Sequence, residues 1–213
     1  MSSSASNLCF GDLLFEGSEL LEAAIPDALP PELVALLHWK NGFVAFRGGL
    51  HVRGWCSDPE WHSLPRCWSG KNKLSSMYPV VSETDIPFGQ DCMADQFLLR
   101  GGQVMRLSSE LGEIKELGLG LLEFLELACT DPVSYLSLEP LLAYESSTGQ
   151  LRPGRLLMAV PPFCLKSGRK SEIRSAQIGD LMAYLSGLAS QIASLPDGTS
   201  VALATSEVPR EDT

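Results

Sequence analysis

The sequence predicts an α+β fold: an antiparallel β-meander flanked by helices, followed by a C-terminal strand-helix-strand extension. Two observations carry this. Short apolar runs alternate with glycine or acidic turns between Phe43 and Leu107, the pattern of strands joined by local hairpins. Apolar residues recurring at three and four mark helices around Leu33 to Leu37, from Leu119 to Cys129 and from Gln177 to Ser194. With 213 residues, 45% hydrophobic and 20% charged, the chain can bury a core without metals or disulfides.

Taken in order, Pro30 and Pro31 open the first helix and Asn41-Gly42 stops it. The runs Phe43 to Phe46 and Leu50 to Arg53 flank Arg47-Gly48-Gly49 and read as a hairpin. Asp58-Pro59 reads as the N-cap and first residue of a short helix that carries Trp61 and Trp68 and is limited by Pro65. Ser69 to Ser76 reads as a polar loop. Strands follow at Ile86 to Gln90, Gln96 to Arg100 and Gln103 to Leu107, with Gly101-Gly102 as a tight turn and a fourth strand at Glu113 to Leu117. Asp131-Pro132 ends the Leu119 helix and caps the next, which runs to Glu145 with a break at Pro140. We place the domain boundary at Ser146 to Gly149: a core over 1–145, an extension over 146–205 packed on that core, and a disordered tail over 206–213. The extension comprises a strand at Arg155 to Val160, the Gln177 helix and a last strand at Ser200 to Ala204.

The net charge is −10, and residues 1–151 carry 20 acidic against 9 basic side chains, while 152–213 carry 6 against 7. Such a field repels phosphate backbones and speeds encounter with a basic partner, so direct nucleic-acid binding is disfavoured. The basic cluster Arg152, Arg155, Lys166, Arg169, Lys170 and Arg174 has only Phe163 among it and reads as a solvated loop. No apolar run spans a bilayer, and the first residues lack a basic segment followed by an apolar one; a cytoplasmic chain with six reduced cysteines is expected.

Chemical motifs are sparse. His51, Cys56, His62 and Cys67 fall within 17 residues, but without C-x-x-C or H-x(3–5)-H spacing, and His51 belongs to a strand away from the Cys56 loop. No metal or cofactor is therefore expected. No G-x-S-x-G or phosphate loop occurs, and His38 beside Trp39 reads as a half-buried structural residue. Glu83, Asp85, Asp91 and Asp95 crowd one span as a glycosidase pair would, yet tight-turn chemistry explains Asp91 and Asp95 more simply.

One order of motifs points further: Leu29-Pro30-x-Glu32-Leu33, Asn41-Gly42, a strand, a tryptophan-bearing loop, Phe88-Gly89-x-Asp91 leading to Gln96-Phe97, a short hairpin and the Leu119–Cys129 helix. Over residues 20–138 this order resembles the SUKH superfamily, which takes in Smi/Knr-type fungal cell-wall regulators and many bacterial immunity proteins that neutralise toxins. Asp131-Pro132-x-x-Tyr135-Leu136, Gly149-x-Leu151-x-Pro153-Gly154, Pro161-Pro162-Phe163 and the Leu195-to-Gly198 stretch resemble the C-terminal extension of one bacterial branch. Two departures stand out: Ala94-Asp95 replaces a turn glycine followed by a polar residue, and Gln90 stands where related sequences commonly carry an acid. The resemblance implies a non-enzymatic protein-binding module, either an immunity protein acting on a basic toxin domain, for instance a nuclease, or a regulatory scaffold without a toxin partner. A hydrolase ranks below both, and no catalytic residue carries over. The expected contact surface is Trp55, Trp61 and Trp68 rimmed by Asp58, Glu60, Glu83, Asp85, Asp91 and Asp95, an aromatic anchor set in acid.

Overall fold

In the computed structural model, residues 8–11, 13–20, 25–165 and 170–196 are described. The predicted last strand at Ser200 to Ala204, the tail over 206–213, and Lys166 and Arg169 lie outside them.

Seven antiparallel strands form one sheet in sequence order: β1 (Phe15–Glu16), β2 (Phe43–Ala45), β3 (Leu50–Val52), β4 (Ile86–Asp91), β5 (Gln96–Arg100), β6 (Gln103–Ser108) and β7 (Glu113–Glu116). Every neighbour in space is a neighbour in sequence; β2–β3, β4–β5, β5–β6 and β6–β7 are joined by short turns, whereas the helix Pro31–Trp39 lies between β1 and β2 and the helices Leu64–Ser69 and Leu74–Met77 lie between β3 and β4. The β2–β3 connection bends through Phe46 and Arg47 at φ 51° and 61°, a left-handed conformation rare outside glycine. An ion pair from Arg47 to Glu145 (2.9 Å) holds this turn against the later helices.

The sheet is buried on both faces. On one side Phe43, Ala45, Leu50, Val52, Phe88, Phe97, Leu99 and Val104 pack with α1 (Pro31–Trp39), α4 (Leu121–Thr130), α5 (Pro132–Leu136) and α6 (Glu139–Thr148). On the other, Leu98, Met105 and Leu107 pack with Tyr78, the hairpin β8 (Arg155–Val160) and β9 (Glu172–Gln177), and the long helix α7 (Ile178–Ala193). Strand alternation makes this sharing possible, because successive side chains of β5 and β6 point to opposite faces. The C-terminal segment is thus a lid on the second face of the meander. Its backbone is stitched to the core where Leu157 N–H donates to the Cys92 carbonyl (2.7 Å).

Several local expectations are corrected. Asp58-Pro59 does not open a helix: its peptide is cis, Glu60–His62 form a 3-10 turn, and α2 spans Leu64–Ser69. Ser63 is the N-cap, its hydroxyl accepting from Arg66 N–H, and Pro65 sits in the first turn, where a missing N–H costs nothing. The polar loop at Ser69 to Ser76 gives way to α3 (Leu74–Met77), anchored by buried Leu74. In the extension the described second strand is β9, which precedes α7 rather than following it. Arg155 and Arg174 therefore belong to a paired hairpin, not to a solvated loop. His38 is exposed on α1. Asp131 caps α5 as expected, its Oδ1 accepting from Ser134 N–H (3.1 Å).

Candidate functional site

The second face of the sheet carries a buried polar chain, and it begins at Arg53. This guanidinium is 3% exposed and is held by four neutral oxygens: the carbonyls of Pro87 (2.9 Å) and Gly89 (3.2 Å), and the side-chain oxygens of Gln90 (2.7 Å) and Gln96 (2.6 Å). Burial lowers its pKa from the ordinary value. A buried cation is tolerable only with its donors satisfied, and the two glutamine oxygens do this without adding charge. Gln90 is thus one of the residues that ground Arg53.

From the glutamines the hydrogen bonds run one way. Gln96 Nε2 donates to Gln90 Oε1 (3.1 Å), and with that oxygen accepting, Gln90 Nε2 is the donor to His51 Nδ1 (3.0 Å). His51 Nε2 then carries the proton and donates to His62 Nδ1 (2.9 Å), leaving His62 Nε2–H to donate to the Asn41 carbonyl (3.3 Å). The two imidazoles lie nearly parallel, with ring planes at 14°. One tautomer satisfies every member, which requires both rings neutral. Burial, their mutual proximity and Arg53 push His51 well below the ordinary histidine range, and burial brings His62 down to about 4, against the raising effect of the Asn41 carbonyl.

His62 occupies a socket floored by glycines. A Cβ on Gly17, Gly42 or Gly54 would stand 2.9, 2.5 or 2.7 Å from His62 Nε2, so only backbone without side chains admits the ring. The socket fixes the Pro59–His62 turn to the sheet. Asn41 fixes the other end, its Oδ1 accepting from Trp55 N–H (2.6 Å) and its Nδ2 donating to the Trp55 carbonyl (3.2 Å).

On this mount sit the three tryptophans, each half-buried. Trp61 meets the rings of Phe15 (4.9 Å) and His51 (5.2 Å) and reaches across to Gly154 at the start of β8. It rivets the meander to the lid. Trp68 packs on the first-face core and donates from Nε1 to the Glu83 carbonyl (3.2 Å), and Trp55 packs on the same core. Trp61 and Trp68 were expected to share one short helix; they instead face different cores.

The six carboxylates do not form one surface. Asp85 and Asp91 are each 1% exposed. Asp85 grips Arg100 with both oxygens (2.8 and 2.7 Å), while Asp91 and Asp95 share Arg106 (2.9 and 3.0 Å). Asp91 Oδ1 also accepts from Met93 and Asp95 N–H, the turn chemistry read from the sequence. Burial and then the Asp95 charge raise Asp91 to about 7, against Arg106 and the two amides. Asp85 and Asp91 are internal structure and leave the contact surface, while Asp95 is half-buried and tied to Arg106. Asp58, Glu60 and Glu83 are exposed, Glu60 beside Arg66 (3.0 Å) and Glu83 beside Lys73.

The crevice beside His51 and Trp61, lined also by Leu151, Gly154 and Arg155, has about 10 Å³ of free volume, about one water molecule. No group of three or more His, Cys, Asp and Glu among the described residues is placed to hold a metal ion. None of the described helices is long and apolar enough to cross a membrane.

Comparison with protein-family models, curated proteins and solved structures found no match.

The sequence missed the histidine pairing because His51 and His62 are 11 residues apart, one on a strand and one on a turn, and only the fold brings them together. The clustering of Gly17, Gly42 and Gly54 around one ring left no periodic signal either.

Proposed function

We propose that this chain is a protein-binding module, of the SUKH immunity-protein type, that neutralises a basic partner by stoichiometric binding through its tryptophan loop. The observation that carries the reading is the mount itself. A loop pinned at Asn41 and at the His62 socket presents three half-exposed tryptophans beside Asp58, Glu60 and Glu83. A rigid aromatic anchor loses little entropy on binding, and exposed carboxylates around it steer a basic partner. The polar chain opens onto a crevice too small for a substrate, which favours this reading over a hydrolase working from His51 or His62. A basic toxin domain, for instance a nuclease whose phosphate site the carboxylates would mimic, is the partner class that the charge favours. A regulatory scaffold of Smi/Knr type would use the same loop without a toxin.

The test is the triple charge reversal Asp58→Lys, Glu60→Lys and Glu83→Lys, compared with the parent chain in pull-downs from a lysate of the source organism at low and high salt. A basic partner retained one-to-one by the parent at low salt and lost by the triple variant supports the proposal. Equal retention by both removes this surface.

A further inference from the structure

The mount of the tryptophan loop makes demands on two successive residues. At position 41 it uses an amide: Asn41 Oδ1 accepts from Trp55 N–H (2.6 Å), while Nδ2 donates to the carbonyls of Trp55 (3.2 Å) and Ser18 (3.0 Å). One acceptor and two donors on a single short side chain satisfy all three partners; a carboxylate has no proton for the two carbonyls. At position 42 it uses glycine. The backbone there is at φ +77°, and a Cβ would stand 2.4 Å from the Gly54 nitrogen and 2.5 Å from His62 Nε2. The fold therefore carries Asn41-Gly42, a pair prone to deamidation. That reaction begins when the next residue's amide nitrogen attacks the asparagine side-chain carbon, and glycine, without a side chain, leaves the attack unhindered.

We propose that Asn41-Gly42 is a latent deamidation site, closed while the mount is intact, opened when the tryptophan loop lifts, and yielding a product that keeps the mount from re-forming. Both reacting groups are tied down in the folded chain. Gly42 N–H donates to the Lys40 carbonyl (2.7 Å), and Asn41, 6% exposed, is held by its three side-chain hydrogen bonds. His62 Nε2–H on the Asn41 carbonyl (3.3 Å) fixes the peptide between them. Once local opening frees these groups, the Gly42 nitrogen attacks Asn41 Cγ and loses its proton. The bond from Cγ to Nδ2 breaks, and ammonia leaves with that proton. Water then opens the succinimide: adding at Cγ it leaves an aspartate, adding at the main-chain carbonyl carbon it leaves an isoaspartate. Ammonia is exchanged for water, and nothing is oxidised or reduced. The aspartate would set a carboxylate against the Trp55 and Ser18 carbonyls with no donor for either. The isoaspartate would add a carbon to the main chain beside the glycine socket, which has no room for one. The chemistry acts on the mount whatever the loop binds.

Incubating the full-length chain in mildly alkaline buffer, folded and in urea, then mapping peptides by mass, tests the site. Conversion is read as the mass of water gained less that of ammonia, and isoaspartate by enzymatic methylation. Three side-chain hydrogen bonds must break, each worth about a factor of five, so Asn41 should convert about 100-fold more slowly in the folded chain than in urea. Asn72 is exposed and is the internal reference, expected to convert at similar rates in both. Refolded from urea, the converted fraction should exchange amide hydrogens over residues 55–62 about tenfold faster than the unconverted fraction, with β5 and β6 unchanged; Asn41→Asp should behave as the converted fraction does. Equal Asn41 rates with and without urea, no conversion even in urea, or parent-like exchange over 55–62 after conversion each overturns the proposal.

Discussion

Replacing Gly54 with alanine places a methyl carbon 2.3 Å from the Asn41 carbonyl oxygen and 2.7 Å from His62 Nε2. Neither neighbour is the loose end of a flexible chain: one is backbone, the other a ring held at both nitrogens. Relief requires the imidazole to leave its socket and the Asn41 carbonyl to shift. That breaks the His51–His62 and His62–Asn41 hydrogen bonds, about 1 kcal/mol each, and strands the buried His51 donor at about 1–3 kcal/mol more. A total near 4 kcal/mol follows. With a urea slope of about 2.5 kcal/mol/M for a chain of this size, the midpoint should fall by roughly 1.5 M at unchanged slope. Gly101→Ala is the control. Gly101 also lies in a turn, at φ +57° with nothing within 4 Å of its Cβ, and should cost only the left-handed strain of about 1 kcal/mol. Urea titration followed by tryptophan fluorescence reads both. Equal losses for the two variants would refute the socket.

Other outcomes follow from the same geometry. His62 has its folded pKa lowered to about 4, so its contribution is present above the unfolded value near 6.5 and is lost as pH falls toward 4, amounting to about 3 kcal/mol; His62→Gln should flatten that part of a stability-versus-pH curve. Asp91 has the opposite sign: raised to about 7, it favours the folded state below its unfolded value near 4 and loses that advantage as pH rises through 7, so Asp91→Asn should flatten the decline between about pH 4 and 7. Arg106→Met leaves two carboxylates without their shared cation and should cost about 3 kcal/mol at pH 8, with part of the loss recovered in the Arg106→Met, Asp91→Asn double variant. Trp61→Ala removes the contact between Phe15, His51 and Gly154 and should raise hydrogen exchange in both β3 and β8, whereas a change confined to β3 would argue against a rivet.

Much of the meander was legible because several of its turns are local and chemically marked. Arg47-Gly48-Gly49, Asp91 to Asp95 and Gly101-Gly102 each separate apolar runs that pair directly. Helix α7 was legible from its three-and-four spacing, and its buried face is Ile178, Leu181, Met182, Leu185 and Leu188. Strand β9 was not, because only Ile173 and Ala176 are apolar in it, and its partner β8 supplies most of the burial. Short α3 hid in the same way behind serines, with Leu74 and Met77 as its only apolar residues. At the candidate site, residue type did not give the role of each group. His51 and His62, which their spacing set aside as metal ligands, are links in a neutral hydrogen-bonded chain. Asp85 and Asp91 read as surface acid and turn out to neutralise arginines from within, because the sheet brings Arg100 on β5 and Arg106 on β6 back to them from 15 residues along the chain. Pairing across strands, which no local pattern encodes, decides which charges remain available to a partner.

The central claim is that the exposed acids of the tryptophan loop meet a basic protein. The most direct measurement is the low-salt pull-down with the parent chain and the Asp58→Lys, Glu60→Lys, Glu83→Lys variant side by side, each eluate quantified by mass spectrometry. The account predicts one basic protein at one-to-one stoichiometry with the parent, released by high salt and absent with the variant. A partner held equally by both chains, or no stoichiometric partner at all, would contradict it.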